Sequence, residues 1–515
     1  MVYLLKHCKI ITLNGENIRL ETVTVKTETG LYTAEKGTVL IGFLHSIGMD
    51  IPSDCGGAGF CGKCEVEIEC DGIVSTVRSC RYRLEKDITI LSREEASGEI
   101  KTDNRIDDLV LSTDYAVIDL GTTAVSAAVC RDGNLYEYTE LNALSRIGRD
   151  VISRSEYIRR NGWLDEASGM LKKQLVGMIR KICSGNGLTV PDRVTVGGNT
   201  IMQHILAGIE PYPITVFPFE PATLFKGDDS FIQLDESITA ELMPCVAGYF
   251  GGDLTAGLLY LKHRMKKDET ALLIDIGTNG EMALICGDSI TCCSVASGPA
   301  FEGGNIECGM TGTDGAIDHV FFTEDGIRYS TIGNTAPKGI CGSGIIDLVS
   351  VLLKMEIVAE SGRFLPPSET DIFMGGYTED ENGNGLLHLG SSVFITAKDI
   401  RMIQMAKAAL AAGIEILLRE CGLDYSQVDA VYLAGGFGTL MNVSSAANIG
   451  MIPEGFREKC IPCGNTCLKG TALAAVSQDV AEDLDDLCGR CRYIELSSYS
   501  DFNDLYVSNM MFGGK

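Results

Sequence analysis

The sequence predicts a multidomain α/β protein in which a small, strand-rich N-terminal domain precedes a much larger, internally duplicated α/β unit. Two observations lead to this prediction. A glycine-rich stretch within the first hundred residues carries closely spaced cysteines, and two segments that share an Asp-x-Gly-Thr turn open two comparable blocks of the remainder. With 515 residues, the chain has enough material for several domains with large cores.

The cysteine stretch reads Asp-Cys-Gly-Gly-Ala-Gly-Phe-Cys-Gly-Lys-Cys and places Cys55, Cys61 and Cys64 at C-x5-C-x2-C spacing. Its glycines take positive φ at little cost, and their lack of Cβ lets backbone N–H groups approach bridging sulfides. The spacing is one residue longer than the plant-type pattern, so we predict a [2Fe–2S] cluster. A zinc knuckle or buried thiols are the alternatives, but zinc sites usually show two separated cysteine pairs, and buried thiols need no glycine loop.

Two cysteines compete for the position of fourth ligand. Residues 64–70 alternate strictly between polar and apolar side chains, as in a half-buried strand, which places Cys70 on the face of Val66 and Ile68. Cys70 is therefore predicted to pack in the core. Cys80 follows on the returning segment, and we predict it as the fourth ligand.

The elements around this loop are in the order of a β-grasp domain. We predict strands at 22–27, 31–33 and 87–91, and an apolar helix at 38–47. Residues 1–91 are therefore predicted to form a β-grasp ferredoxin domain. Residues 92–114 are charged and weakly apolar, which is typical of a linker that would let the cluster swing between donor and acceptor.

Two apolar strands each run into an Asp-x-Gly-Thr turn and a second apolar strand, at 115–129 and 271–285. In such a turn the carboxylate can hold a Mg²⁺-bound water, the glycine lets a phosphate approach the backbone, and Thr or Asn donates hydrogen bonds to phosphate oxygens. One turn alone is weak evidence, because many hairpins contain Asp-x-Gly. Two copies predict a duplicated unit that closes on one nucleotide, with the phosphate and Mg²⁺ residues Asp119, Gly121, Thr122, Thr123, Asp275, Gly277, Thr278 and Asn279.

A third glycine-rich turn follows the strand predicted at 430–434. Backbone at such a turn can pass flat against an adenine or ribose, so we assign Gly435, Gly436 and Gly438 to the adenosine side. Segments 251–259 and 464–472 are rich in small residues and are predicted to be helices where two lobes meet. Asp253 in the first of them either orients water or metal, or caps its helix.

This order of turns and helices resembles the acetate/sugar kinase, heat-shock chaperone and actin ATPase superfamily over roughly residues 115–480. The resemblance implies an actin-like (RNase H-like) two-lobe ATPase. Lobe I is expected at 115–258, and lobe II with a C-terminal segment at 259–515.

Narrower stretches resemble the reductive activators of corrinoid enzymes across nearly the whole chain: Gly197-Gly-Asn-Thr200, Ser297-Gly-Pro-Ala-Phe-Glu302, Cys341-Gly-Ser-Gly344, Thr396-Ala-Lys-Asp399 and Asp501-Phe-Asn503. The resemblance implies that ATP is used to return a corrinoid protein of a methyltransferase system from inactive Co(II) to Co(I). It also implies a reduced ferredoxin or flavodoxin-type donor, electron transfer through the cluster, and a homodimer.

Three other functions share parts of this pattern. A redox-regulated small-molecule kinase would need a substrate pocket with a dedicated base, which we do not find in the sequence. A chaperone-like ATPase would need a long β domain after the ATPase. Activators of 2-hydroxyacyl-CoA dehydratases lack the N-terminal ferredoxin.

The composition limits which classes of partner and which cellular compartment we expect. A net charge of −27, from 43 basic and 70 acidic residues, argues against nucleic acid and anionic membranes as partners. No apolar run reaches the ~18 residues of a membrane-spanning helix, and the N-terminus lacks a secretion signal. Twenty cysteines without such a signal predict a reducing cytoplasm.

A second set of cysteines has the spacing of a closed zinc or four-iron site, C-x2-C followed later by C-x2-C: Cys460, Cys463, Cys488 and Cys491, with Cys467 between the pairs. Buried free thiols are the alternative. His204 and Cys341 are predicted to be structural residues. Thr396 and Asp399 are predicted to cap a long helix whose apolar stripe is core.

Overall fold

The computed structural model describes residues 11–13, 16–18, 21–47, 49, 51, 64–92, 114–323, 326–366, 368–369, 376–381, 383, 385–390, 392–476 and 478–513. The chain divides into two compact units, one made of Met1–Ser97 with Leu144–Asn161 and the other of Gly98–Ala143 with Gly162–Lys515. The predicted linker lies almost wholly outside the described residues, and the predicted division into domain and lobes stays a prediction. In the described part of the chain no helix is long and apolar enough to cross a membrane.

The first unit is built on a five-stranded sheet of order β4-β3-β7-β5-β6. Its elements, with a short separate hairpin, are β1 (Ile11–Leu13), β2 (Glu16–Ile18), β3 (Thr22–Thr27), β4 (Gly30–Glu35), α1 (Leu40–Ser46), β5 (Glu65–Cys70), β6 (Ile73–Arg78) and β7 (Ile88–Ser92). Strands β3 and β7 are parallel, and the other neighbours are antiparallel. This mixed sheet is compatible with the predicted β-grasp domain, and that the domain is a ferredoxin stays a prediction. The alternation in β5 buries Val66 and Ile68 and exposes the glutamates between them.

The first half of the second unit contains a six-stranded sheet of order β10-β9-β8-β11-β13-β12. The chain runs through β8 (Tyr115–Leu120), β9 (Ala124–Arg131), β10 (Asn134–Leu141), α2 (Val151–Asn161, which belongs to the first unit), α3 (Leu164–Asn186), β11 (Arg193–Gly198), α4 (Thr200–Ala207), β12 (Phe231–Gln233), β13 (Thr239–Leu242) and α5 (Gly252–Arg264). Strands β8, β11 and β13 are parallel.

The second half contains a six-stranded sheet of order β24-β23-β14-β15-β16-β25. Its elements are β14 (Ala271–Ile276), β15 (Gly280–Cys286), β16 (Ser289–Val295), β17 (Ala316–Thr323), β18 (Gly326–Thr331), β19 (Gly339–Ile340), α6 (Gly342–Lys354), β20 (Tyr377–Glu379), β21 (Gly385–His388), β22 (Phe394–Thr396), α7 (Ala397–Cys421), β23 (Ala430–Ala434), α8 (Gly435–Leu440), α9 (Val443–Asn448), β24 (Cys460–Gly464), α10 (Thr466–Val476), α11 (Gln478–Arg490), β25 (Cys491–Ile494) and α12 (Phe502–Ser508).

The two six-stranded sheets repeat one topology. In each, an antiparallel meander of three strands is followed by two strands parallel to its first strand, giving β10-β9-β8-β11-β13 in one sheet and β16-β15-β14-β23-β24 in the other. The predicted internal duplication is therefore present. Because the turns that follow β8 and β14 occupy equivalent places, the duplication also fixes where the two Asp-x-Gly-Thr turns lie.

Helix α7 begins at the predicted cap. Thr396 accepts a hydrogen bond from the N–H of Asp399, whose carboxylate in turn accepts from the N–H of Thr396. The predicted stripe of apolar side chains along α7 is buried. His204 is also fully buried, with Nδ1 2.7 Å from the Thr200 carbonyl oxygen, and burial lowers its pKa. Cys341 is buried as well, so these residues are structural as predicted.

The predicted small-residue helices α5 and α10 cross at very short range. A Cβ on Gly470 of α10 would lie 1.8 Å from the Ala256 carbonyl oxygen of α5, which no side chain can occupy. The same helix passes the end of β11, where a Cβ on Gly197 would lie 2.6 Å from both Cys467 Sγ and Thr471 Oγ1. Glycine at these positions is therefore what permits the helix to pack against its neighbours.

Gly470→Ala is expected to destabilise the second unit by about 2 kcal/mol, because the added methyl group forces α5 and α10 apart. Gly489→Ala in α11 is the matched control, since a Cβ there meets nothing within 4 Å. It should be neutral or slightly stabilising. Urea unfolding of both variants measures the difference, and equal midpoints would contradict the close crossing.

Candidate functional site

The turn between β8 and β9 is held in one shape by Asn142. Its backbone N–H donates to the Thr123 carbonyl oxygen at 2.9 Å, and its side-chain Nδ2 donates to the Gly121 carbonyl oxygen at 2.7 Å. A Cβ on Gly121 would lie 2.4 Å from the Ala124 carbonyl oxygen, so the turn requires glycine. The Thr122 and Thr123 side chains are thus presented on a rigid backbone.

The turn between β14 and β15 has a comparable support. The Gly277 N–H donates to the Asn279 carbonyl oxygen at 2.9 Å. Ser297 Oγ donates to the carbonyl oxygens of Gly277 and Thr278, at 3.3 and 3.2 Å. In both turns, backbone carbonyl groups thus accept hydrogen bonds from neighbouring protein groups, which fixes the backbone that carries the Thr side chains.

The two turns meet at Glu302. Thr123 Oγ1 donates to Glu302 Oε1 at 3.2 Å, and Thr278 Oγ1 donates to Glu302 Oε2 at 2.5 Å. One carboxylate thus bridges turns that are far apart in the sequence. The two Asp-x-Gly-Thr turns therefore lie close together, and that they bind one nucleotide stays a prediction.

Two asparagines fix the first turn from the side. Asn199 caps α4 through Oδ1, and its Nδ2 donates to Thr122 Oγ1 at 3.1 Å. Asn465 caps α10 in the same way, and its Nδ2 donates to Asp119 Oδ2 at 2.7 Å. Each asparagine is the middle residue of a Gly-Asn-Thr tripeptide at a strand end. This repeated tripeptide is the sequence signal by which both residues could have been identified.

Half-buried carboxyl groups gather around the turns. Burial raises the pKa of Asp275 to about 7, with the charges of Asp119 and Glu302 adding to the shift. Burial raises the pKa of Asp253 to about 8, again with help from Asp275 and Asp119. Burial also raises the pKa of Asp119 and of Glu281. These groups lie close enough to repel one another, so a cation among them would be strongly favoured.

This carboxyl cluster fits Mg²⁺ held through water and phosphate. Within the described residues, no three Asp, Glu, His or Cys side chains converge as direct metal ligands. Mg²⁺ usually keeps several waters and takes one or two carboxylates together with substrate phosphates, rather than an all-protein cage. Asp119 and Asp275, at equivalent strand ends, are suited to that arrangement.

The stabilising effect of Mg²⁺ with a non-hydrolysable ATP analogue is expected to be larger at about pH 8.5 than at about pH 6. Asp253 and Asp275 have folded-state pKa values above their ordinary 3.8. The stability that their protonation contributes is full below about pH 4 and is lost as the pH rises through about 7 to 8. Mg²⁺ binds the ionised carboxylates, so its stabilising effect on the fold increases as the pH rises over the same range. The shift in melting temperature at each pH measures this, and a constant shift would contradict it.

Asp253 lies in the first turn of α5, where Gly251 is the N-cap residue. Its Oδ1 accepts from the N–H of Leu254 at 2.8 Å. Both predicted roles of Asp253 stay predictions: its carboxylate accepts a backbone hydrogen bond at the helix start, and burial, together with the charges of Asp275 and Asp119, raises its pKa.

The three glycines after β23 have different surroundings. Gly435 has φ +79°, and a Cβ there would lie 2.6 Å from Asp275 Oδ1, so it borders the carboxyl cluster. Gly436 is half-buried beside it. Gly438 lies inside α8, where a Cβ would contact Leu433 of β23. The end of β23 thus borders Asp275, just before the second Asp-x-Gly-Thr turn, and Gly438 faces the sheet.

In the first unit, Cys64 Sγ and Cys80 Sγ are 3.2 Å apart and both side chains are buried. Ser79 fixes this arrangement, since its N–H and Oγ both donate to the Cys64 carbonyl oxygen, at 3.0 and 2.8 Å. Metal–thiolate bonds of about 2.3 Å put two sulfurs on one tetrahedral metal about 3.7 Å apart, so the pair fits one iron with a small adjustment. Cys55 and Cys61 lie outside the described residues. Cys70 is half-buried at the end of β5.

The C-terminal cysteine pairs do not assemble into a site. Cys460 and Cys463 lie on β24 and Cys491 lies on β25, and these strands form opposite edges of the six-stranded sheet. Five strand spacings separate them, roughly 24 Å. The alternative of free thiols in apolar surroundings describes these residues, since Cys460 packs against one apolar core of this unit and the other three cysteines pack in or against a second one.

Comparisons with known proteins agree on one family. The RACo middle region matches residues 115–267, and the C-terminal domain of RACo, the ASKHA domain, matches residues 269–515. The corrinoid activation enzyme RamQ of Eubacterium limosum is 29% identical over an alignment of 574 positions, gaps included, that covers 91% of this chain and 95% of the relative. A [Co(II) methylated amine-specific corrinoid protein] reductase of Methanosarcina barkeri is 27% identical over 277 residues, covering 52% of this chain and 51% of the relative.

A solved structure supports the same assignment. The reductive activator for corrinoid,iron-sulfur protein superimposes with a TM-score of 0.68 at 27% sequence identity. The alignment covers 95% of this chain and 98% of that one. The similarity therefore extends over the N-terminal unit as well as the duplicated sheets.

Proposed function

The chain belongs to the family of reductive activators of corrinoid enzymes, and from this premise we propose that it uses ATP to reduce inactive Co(II) to Co(I) in a corrinoid protein. The observation that carries the proposal is the meeting of two equivalent phosphate turns at one carboxyl-rich site. The names of the relatives, a corrinoid activation enzyme and a Co(II) corrinoid protein reductase, support the reaction.

The electron is proposed to pass through a [2Fe–2S] cluster bound to the β-grasp domain by Cys55, Cys61, Cys64 and Cys80. The adjacent, buried thiols of Cys64 and Cys80 support this assignment. When bound, a cluster of this type supplies one-electron transfer near about −400 mV. The sheet and Ser79 hold the sulfurs in place, and burial of both thiols limits access of water to that side.

The nucleotide is proposed to lie between the two turns. Asp119 and Asp275 hold the water shell of Mg²⁺, with Asp253 orienting a water. Gly121 and Gly277 let phosphates approach the backbone. The remaining contacts are proposed from hydroxyl and amide donors on the phosphate side and glycines on the adenosine side: Thr122, Thr123, Thr278, Asn279, Gly435 and Gly436. Gly438, predicted from the sequence for the adenosine side, faces Leu433 of β23 instead and is proposed to support this strand end.

ATP is required because the electron moves uphill. Each 59 mV by which cobalt is harder to reduce than the cluster costs about tenfold in a one-electron equilibrium. Nucleotide that contacts both turns favours a closed arrangement of the two halves, and the close crossing of α5 and α10 is where such closure is transmitted. A closed state that binds the Co(II) partner with an altered cobalt coordination shifts the electron-transfer equilibrium towards Co(I). ATP hydrolysis then releases the partner.

The partners follow from the same proposal. They are a corrinoid protein of a methyltransferase system and a reduced ferredoxin or flavodoxin-type donor, with the activator acting as a cytoplasmic homodimer. The acidic chain, at net −27, favours docking surfaces that are basic or neutral.

The test uses the iron-replete full chain, a strong reductant and a Co(II) corrinoid protein, and follows the Co(I) absorption. We expect Co(I) to form with ATP and not without nucleotide. Equal rates in both samples would refute the proposal, and phosphorylation of a small molecule without Co(I) formation would favour the kinase alternative.

A further inference from the structure

The two threonine hydroxyls that face the nucleotide position are already engaged. Thr123 Oγ1 and Thr278 Oγ1 each donate to one oxygen of Glu302, at 3.2 and 2.5 Å. A hydroxyl has a single proton to donate, and an ionised carboxylate can only accept. A phosphate oxygen that takes a hydrogen bond from either hydroxyl therefore has to replace the carboxylate as acceptor.

Glu302 is held in this position by its own segment. It ends the short 3-10 helix Pro299–Glu302, and Gly303 follows with φ +80°. Phe301 is buried and stacks on Phe437 of α8, with ring centroids 5.5 Å apart and planes 10° apart. Packing of Phe301 thus fixes the backbone from which the half-buried Glu302 side chain reaches both turns.

The bridge also imitates what a nucleotide does. A carboxylate offers two anionic oxygens to two donors on opposite turns, which is the role that we propose for the phosphate chain. The charge of Glu302 also lies beside the carboxyl cluster, where it contributes to raising the pKa of Asp275. When Glu302 moves away, both threonine hydroxyls become available to donate to the triphosphate. The negative charge of Glu302 then also no longer repels the phosphates.

We propose that Glu302 is an internal phosphate mimic, a latch that joins the two phosphate turns and that the triphosphate displaces on binding. The inference rests on the proposed nucleotide site and adds a competing residue to it. Glu302 thereby sets how tightly ATP binds, and its release is the first local change that binding produces.

The test is calorimetric titration of the full chain with Mg²⁺ and a non-hydrolysable ATP analogue, with adenosine as a phosphate-free probe. For Glu302→Gln, which keeps the size but loses the charge, we expect the triphosphate to bind about tenfold more tightly, equivalent to about 1.4 kcal/mol. Adenosine affinity should not change. Glu302→Asp, too short to reach both hydroxyls, should show a smaller gain and replaces Glu302→Gln if that variant does not fold.

Glu307→Gln is the matched control, because Glu307 is exposed on the same segment and its backbone N–H, which the substitution keeps, donates to Asp399 Oδ1. It should bind both ligands like the wild type. Unchanged or weaker triphosphate binding by the Glu302 variants would overturn the latch, since it would make Glu302 structural or a partner of the bound nucleotide. Failure of the wild type to bind any nucleotide would instead overturn the proposed function, and cobalt reduction does not enter this measurement.

Discussion

Asp275→Asn is expected to lower ATP hydrolysis, and with it ATP-dependent Co(I) formation, by about 100-fold or more. Asp275 ends β14, borders Gly435 and is part of the carboxyl cluster. An amide keeps the shape but no longer offers a charge to the water shell of Mg²⁺. Steady-state phosphate release and the Co(I) absorption measure the two losses.

The same variant should leave the first unit and the fold unaffected. The visible spectrum of the cluster should equal that of the wild type, since Asp275 belongs to the second unit. Removal of a carboxyl group with a pKa of about 7 should not lower the melting temperature at about pH 8, where the ionised group faces Asp119 and Glu302. Asp268→Asn removes an exposed charge close to β14 and serves as the control. Near-normal hydrolysis by Asp275→Asn would contradict the assignment.

Cys80→Ser should have the opposite pattern. We expect the visible absorption of the cluster and all Co(I) formation to fall below detection, because Cys80 is one of two adjacent buried thiols at the cluster position. ATP hydrolysis should stay within about twofold of the wild type. Iron analysis, absorption and phosphate release on one preparation give the three readings.

Cys70→Ser is the matched control for the cluster variant. Cys70 is close in sequence but half-buried at the end of β5, so its loss should leave iron content unchanged. Retention of a normal spectrum by Cys80→Ser, or its loss in Cys70→Ser, would show that the fourth ligand is misassigned. If Cys80→Ser abolished ATP hydrolysis as well, the two-module description would be wrong.

Local patterns in the sequence predicted much of this structure. The alternation over residues 64–70 predicted β5 and its buried face, and the Thr396 and Asp399 pair predicted the start of α7, because both signals depend on neighbours a few residues apart. The repeated Asp-x-Gly-Thr turn predicted the duplication for the same reason.

Contacts between segments that are far apart in the sequence could not be predicted from such local patterns. Glu302 was part of a family stretch, but its bridge between Thr123 and Thr278 depends on how two blocks fold together. The same limit explains why the sequence left the C-terminal cysteines undecided between a metal site and free thiols. Their spacing is that of a metal site, but β24 and β25 form opposite edges of one sheet, and strand order is not readable from spacing.

The two halves of the duplicated fold differ at the end of the strand that lies beside each Asp-x-Gly-Thr strand. In topology, β11 is the counterpart of β23, and the register pairs Gly197 with Asp119 and Ala434 with Asp275, so Gly198 corresponds to Gly435. A Cβ on Gly435 would lie 2.6 Å from Asp275 Oδ1 at the carboxyl cluster, whereas a Cβ on Gly198 would lie 3.1 Å from Leu120 of β8. Asp119 instead accepts a hydrogen bond from Asn465, so the two halves are not equivalent here and we expect one nucleotide per chain.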